Sequence, residues 1–322
     1  MSICSKIKKE VLGKLCCPIC YSKLELMSSY LKCANPKCKG YFPIVGDIPI
    51  LINESDSLFS IEDFVQNRST FFQSVSRRNI VGEVINKLLP EISLNIKARQ
   101  NYLKFAEFLF KQNKNPLVLI IGGSIVGQGL ESIISFPSIQ FLEADVSFGP
   151  RTGIVFDAHN IPFEDSTFDG VIIQAVLEHV VDPYRVVEEI HRVLKNKGLV
   201  YAETPFMQQA HGGKYDFTRF TYLGHRRLFR KFSEIDSGAV CGPGMALAWS
   251  YQYFLISFVK SKFATRFIKG FARLTSFWLK YFDYILINNP RALDAASGYY
   301  FMGIKCDKIL SDKELINLYK GD

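Results

Sequence analysis

Asp157-Ala158-His159-Asn160-Ile161-Pro162-Phe163-Glu164-Asp165-Ser166-Thr167-Phe168-Asp169-Gly170-Val171 runs on through an apolar stretch to Leu177-Glu178-His179-Val180. An acidic residue, a small one, an apolar-Pro-Phe step and then a Phe-Asp pair describe a loop that delivers a buried strand. Residues 171–174 read as that strand, because a continuous apolar run suits a parallel strand covered on both faces. Glu178-His179 follows at its carboxyl edge, where open α/β sheets bind ligands. Asp182-Pro183 then begins a helix with Pro at its first position, with Val186, Val187, Ile190, Val193 and Leu194 as the buried stripe.

Upstream, Leu117-Val118-Leu119-Ile120-Ile121 is a second buried-strand run. It meets Gly122-Gly123-Ser124-Ile125-Val126-Gly127-Gln128-Gly129. Glycines here let the backbone approach a ligand closely before a short helix. A strand over 139–143 leads to Asp145, placed where a carboxylate accepts the ribose hydroxyls of an adenosine cofactor. Two readings meet at this loop. Gly122-x-Ser124-x-x-Gly127 is one substitution from the dinucleotide fingerprint, and it is also a stretched form of a methyl-donor loop. The segment from Asp157 favours the second.

These segments, about residues 116–204, resemble the class I S-adenosylmethionine-dependent methyltransferases, in the branch typified by quinone-biosynthesis enzymes. The resemblance implies an α/β, Rossmann-like sheet with S-adenosylmethionine as cofactor. It gives Gly122, Gly123, Ser124 and Gly127 to the cofactor loop, Asp145 to the ribose, and Asp157, with Ala158 and His159, to the adenine. His179 would face the transferred methyl group, and Gly198 occupies the family's usual glycine before the fifth strand. Ile120 stands where an acidic residue is common. Asp169 reads as a strand-start residue that orients a loop.

Cys17-Pro18-Ile19-Cys20 and Cys33-Ala34-Asn35-Pro36-Lys37-Cys38 present two thiol pairs on turn-forming residues. Zinc takes four soft ligands in a tetrahedron, and four thiolates leave no open position. Cys17, Cys20, Cys33 and Cys38 are therefore read as a structural zinc site, and Cys4, Cys16, Cys241 and Cys306 as non-ligands. Residues 23–32 should form two short strands, and the stretch from Tyr41 to Leu51 a third. So small a module has little core, and metal would supply folding free energy. About residues 12–52 resemble the small zinc-ribbon proteins that partner methyltransferases acting on tRNA and translation factors.

The expected organisation is a zinc ribbon over 1–55, a helical linker or lid over 56–114, the cofactor domain over 115–236, and a basic, aromatic-rich helical region over 237–322. In the linker, Val81, Val84, Ile85, Leu88 and Leu89, then Tyr102, Phe105, Ala106, Leu109 and Phe110 recur at helical spacing. A chain of 322 residues with 48% hydrophobic content suits about two domains. Paired thiols among its eight cysteines read as metal binding in a reducing compartment. No apolar region follows Lys6, Lys8 and Lys9, which predicts no secretory signal. The longest nearly uncharged apolar run, about 245–259, is too short to span a bilayer. The expectation is a cytoplasmic protein.

After the fifth strand, Gln208, Gln209, His211, Tyr215, Asp216, Arg219 and Thr221 crowd a stretch with neither helix nor strand period, as in functional loops. Methyl transfer to a hydroxyl or amine needs an aligned nucleophile and a proton acceptor. His211, Asp216 and His179 are the candidate bases; Tyr215 or Arg219 could position an anionic or sugar-like acceptor. An ion pair between Asp216 and Arg219 that pins the loop is the structural alternative. The string 205–221 resembles methyltransferases commonly encoded among enzymes of surface-glycan and lipid-linked sugar synthesis.

Residues 237–282 hold no acidic residue but include Lys260, Lys262, Arg266, Lys269, Arg273 and Lys280, within a net charge of +8. Phe263, Phe267 and Phe271 form a stripe beside them. Such a helix packs on the domain with a solvated basic face, lies on an anionic membrane, or meets RNA phosphates. Three functions follow: methylation of a small or lipid-linked acceptor such as a glycan hydroxyl, RNA-base methylation, or a non-catalytic binding module. Ribosomal-RNA guanine methyltransferases also join a zinc ribbon to this fold, but typically with a histidine ligand. The Asn-Pro-Pro-aromatic signature of amino-methylating enzymes is replaced here by Gln174-Ala175.

Overall fold

The computed structural model describes residues 6–66 and 89–322. Val81, Val84, Ile85, Leu88 and Cys4 lie outside the described residues. Within them, the strands are β1 (Leu24–Leu26), β2 (Tyr30–Cys33), β3 (Tyr41–Val45), β4 (Ile48–Leu51), β5 (Leu117–Ile121), β6 (Gln140–Asp145), β7 (Ile154–Phe156), β8 (Phe168–Gln174), β9 (Leu194–Pro205), β10 (Phe232–Cys241) and β11 (Gly298–Lys305). They form one sheet in the order β1-β2-β3-β4-β7-β6-β5-β8-β9-β11-β10.

From β7 across to β9 every neighbour is parallel. β11 runs antiparallel between β9 and β10. Strand order reverses between β5 and β8, and a crevice opens at the carboxyl ends of such a switch point.

The helix Ala98–Gln112 buries Tyr102, Phe105, Ala106 and Leu109. A Cβ added at Gly170 would lie 2.9 Å from Phe105 Cζ, so the missing side chain on β8 lets this helix sit close. On the opposite face the helix Pro183–Val193 packs with Phe163, Phe168 and Ile173. Leu31, Phe42, Cys17 and Cys33 of the N-terminal module belong to that same core cluster.

Three expectations change. The stretch 41–51 is a hairpin of two strands, because Gly46 and Asp47 both adopt positive φ (+54° and +64°), the backbone of a two-residue I′ turn. The 237–322 region is not purely helical. Gly298-Tyr299-Tyr300-Phe301-Met302-Gly303-Ile304-Lys305 is β11, buried on both faces along most of its length, and it completes the sheet. Finally, the glycine loop does not run straight into a helix: residues 122–130 form turns, and the next helix, Glu131–Ile134, is one turn long.

At the far side, the helices Pro243–Ile256 and Lys262–Ser276 pack together. No described helix is long and apolar enough to cross a membrane.

Candidate cofactor and acceptor clefts

Two clefts meet at the switch point, one of about 610 Å³ and one of about 340 Å³, sharing Ile121, Gly122, Ile125 and Ala175 as a wall. Gly122 has φ +80°, and a Cβ there would lie 2.4 Å from Val176 Cγ2. Only glycine fits. Ala175 carries the same rare backbone, φ +54°, without that excuse. Such residues cost roughly 1–3 kcal/mol and cluster where a ligand is held.

The larger cleft collects Gly122, Ser124, Asp145, Asp157 and Ala158 from the ends of β5, β6 and β7. Asp145 accepts hydrogen bonds from the Ser124 amide (3.1 Å) and the Ser147 hydroxyl (2.8 Å). The loop is thus tied to the carboxylate that ends β6. Asp157 is buried and accepts from Ser57 Oγ (2.6 Å), the His159 amide (3.1 Å) and His159 Nδ1 (2.5 Å). Burial opposes its charge, yet these bonds from His159 and Ser57 hold its carboxyl below the ordinary range. His159 Nε2 accepts in turn from the Asp182 amide at 3.0 Å, which fixes the ring.

Two predicted residues sit elsewhere. Gly123 packs back on β6, where an added Cβ would lie 2.9 Å from Glu143 Cβ. Gly127 lines the smaller cleft and leaves room for the Gln174 amide. Sequence reasoning missed the outer wall of the larger cleft, formed by Asp56, Ser57, Leu58 and Phe59. Arg185 pairs with Asp56, and Phe59 stacks on Tyr215 at 5.8 Å.

The smaller cleft is polar at its floor. Glu203 accepts from Tyr201 (2.5 Å), Asn95 (2.7 Å) and Gln174 (2.8 Å). Glu178 is fully buried, with no hydrogen-bond partner on either carboxylate oxygen. His179 Nε2 and His211 Nε2 each stand 3.8 Å from Glu178 Oε1, and the two rings cross at 5.0 Å. His179 Nδ1 donates to the Tyr215 carbonyl (2.9 Å), which leaves Nε2 as its acceptor nitrogen.

Asp216 is not available as a base. It pairs with Arg219 and accepts from the amides of His211 (2.8 Å) and Gly212 (3.0 Å). Although burial opposes the charge, those partners hold its carboxyl well below the ordinary range. It clamps the loop that presents His211. Asp169, as expected, is structural: it accepts from the Leu117 amide and pairs with Lys195.

The four N-terminal thiols converge, Cys17 Sγ 3.8 Å from Cys38 Sγ and Cys20 Sγ 3.5 Å from Cys33 Sγ. All four lie within 4.8 Å of one another with no disulfide between them. A tetrahedral zinc with bonds of about 2.3 Å places its sulfurs about 3.8 Å apart. The cluster fits the ion. Asn35 Nδ2 and the Ile19 amide point at the sulfurs of Cys20 and Cys17, as outer-shell donors do.

Residues 135–202 match the family model described as a methyltransferase domain. The fold is the Rossmann-like sheet of the class I methyltransferases. Over 45 residues the chain is 47% identical to the demethylmenaquinone methyltransferase of Thermotoga maritima, an overlap of 14% of this chain and 20% of that protein. The chain thus matches about a fifth of the length of that curated relative. Among solved structures, phosphoethanolamine N-methyltransferase 2 of Haemonchus contortus, in complex with S-adenosyl-L-methionine, aligns at 18% identity over 80% of this chain and 62% of that one, with a TM-score of 0.41. A chain from the complex of the Haloferax volcanii Trm112 methyltransferase activator with a methyltransferase aligns at 17% identity over 67% and 98%, with a TM-score of 0.39.

Burial raises the Glu178 carboxyl to about 8. The folded protein then keeps a proton that the unfolded chain releases near the ordinary value of 4.5. The resulting stability is complete below that value and is lost as pH rises through about 8. Urea unfolding of ligand-free protein should show wild type losing stability relative to Glu178→Gln between about pH 5 and about pH 9. A pH-independent difference would mean that Glu178 is ionised in the fold.

Proposed function

We propose that the protein is an S-adenosylmethionine-dependent methyltransferase, with the cofactor in the larger cleft and the acceptor in the smaller. The observation that carries this is the pair Asp145 and Asp157 at the ends of adjacent parallel strands, facing one cavity beside a glycine that admits no side chain. Asp145 would accept the ribose hydroxyls, Asp157 the adenine amino group, and Ala158 would lie against the base. Bound there, S-adenosylmethionine supplies an electrophilic methyl group. The chain's own residues align the acceptor across the shared wall and take up its proton at Glu178 and His211 in the smaller cleft, with His179 beside them at the edge of the larger. The Asp216–Arg219 clamp holds that arrangement in place before binding.

Asp145→Ala and Asp157→Ala should each weaken S-adenosylhomocysteine binding about tenfold or more in calorimetric titration, since hydrogen bonds to charged groups contribute about 1.5–3 kcal/mol. NAD serves as control. Unchanged affinity in both variants would sink the assignment.

The four thiols hold a structural zinc in this reading, and the ribbon supports the cofactor wall. Replacing Cys17 and Cys33 by Ser should release the metal and disorder the module. Retention of the same metal content by that variant would show the ligand set to be wrong.

The acceptor is proposed to be lipid-linked, a glycan hydroxyl being the best candidate, with the protein peripheral to an anionic membrane. Phe263 and Phe267 are 82% and 73% exposed on the helix Lys262–Ser276, near exposed Phe258, Phe271 and Ile285. Lys260, Lys262, Arg266 and Lys269 are exposed alongside. Arg273 and Lys280 turn inward, to the carbonyls of residues 89–91. The neighbouring helix Pro243–Ile256 touches the acceptor loop through Ser250 and Tyr253. An apolar face rimmed by cations suits a lipid surface better than RNA. Phe263→Ser with Phe267→Ser should reduce binding to vesicles containing phosphatidylglycerol by roughly tenfold or more, each buried Phe contributing about 1.5–3 kcal/mol. Equal, weak binding of both proteins to such vesicles would favour a solution acceptor.

A further inference from the structure

We propose that Glu178, His179 and His211 form a second metal centre, for a divalent first-row transition ion, where the two clefts meet: Glu178 and His211 line the smaller cleft and His179 the larger. Two imidazoles and one carboxylate converging beside open clefts are a donor set for such ions, leaving positions for water or an acceptor oxygen. Their ligating atoms all lie within 4.8 Å of one another. Both Nε2 atoms address the same oxygen, Glu178 Oε1, at 3.8 Å. Bonds of about 2.1 Å place neighbouring ligand atoms about 3.0–3.4 Å apart, so each imidazole needs to approach the Glu178 oxygen by well under 1 Å.

The second observation is the carboxylate itself. Glu178 is fully buried and neither oxygen has a hydrogen-bond partner, a costly arrangement that a bound cation would relieve. The surroundings are built for ligation. His179 Nδ1 donates to the Tyr215 carbonyl, the backbone bond that orients a metal-binding imidazole. An added Cβ at Gly212 would lie 2.4 Å from His179 Cε1, so the loop closes on that ring only with glycine there. His211 is fixed through its amide to Asp216, and the neighbouring cation Arg219 is already paired with Asp216. Glu178 and His179 come from the end of β8 and His211 from the loop after β9, so the donors converge only in the fold.

The ion would polarise an acceptor oxygen and favour its deprotonated form. That role rests on the reading of the smaller cleft given above; binding of the ion does not. The test is metal content of the full-length protein after dialysis against cobalt(II) chloride and gel filtration. Wild type should retain one equivalent more cobalt than Glu178→Gln, and also more than His211→Asn, whose substitution lies on an exposed loop. The extra cobalt should show weak ligand-field bands without sulfur charge transfer, which separates it from the four-thiolate site. Equal cobalt in wild type and both variants overturns the centre. S-adenosylhomocysteine titration of the same samples reads the larger cleft separately: its loss in wild type would count against the cofactor assignment and leave the cobalt result standing.

Discussion

Two rungs of parallel pairing, Ile50 with Val155 and Leu51 with Phe156, hold the rest of the arrangement together. β7 is only three residues long, and without β4 its outer backbone groups would face water at a sheet edge. Covering that edge joins the thiol-rich module to the central sheet. It also sends the chain out of β4 directly above the carboxyl end of β7. Ser57 therefore reaches Asp157, Asp56 reaches Arg185, and Phe59 reaches Tyr215. The segment that leaves the N-terminal module, Asp56 to Phe59, supplies one wall of the larger cleft. Further contacts tighten the joint: the Cys16 amide donates to the Pro162 carbonyl (3.0 Å), and Arg192 lies over the Tyr21 ring while pairing with Glu189.

What was legible in the sequence follows the range of the interactions. Parallel strands β5, β6 and β8 announced themselves as short apolar runs, Asp145 was placed by its position at a strand end, a local rule, and Asp157 by the family resemblance of the segment around it. The four thiols were legible because metal ligands come in short spaced pairs. Ser57 and Phe59 carried no signal. They matter through the pairing of β4 with β7, whose residues lie a hundred positions apart in the chain. β11 carries a similar apolar run, Tyr299-Tyr300-Phe301-Met302, but it follows a helical stretch and its partners β9 and β10 lie far from it in the chain. Glu178 was passed over in favour of His179, since a carboxylate after a strand normally points to water. Its burial is produced by the loop after β9, whose Phe217 amide donates to the Glu178 carbonyl (2.8 Å).

Asp216 illustrates how little composition says about role. Its residue type suits a base, yet its partners remove that capacity. Arg219 neutralises it and two consecutive amides occupy it. The same bonds that disqualify it as a proton acceptor determine where His211 stands. Its contribution is to geometry, and loss of it would act through His211.

The two buried glutamates of the smaller cleft differ energetically. Burial pushes the Glu178 carboxyl well above the ordinary range, because desolvation disfavours its charged form. Glu203, two strand positions from Tyr201, is equally buried but receives three hydrogen bonds. The two glutamates thus share one cleft in opposite states of satisfaction. A fold that provides Asn95, Gln174 and Tyr201 for one carboxylate, and only two imidazole edges for the other, treats them differently. Glu203 is finished within the protein. Glu178 has no hydrogen-bond donor on either oxygen among the described residues, and only His179 and His211 stand beside it, each with Nε2 at 3.8 Å.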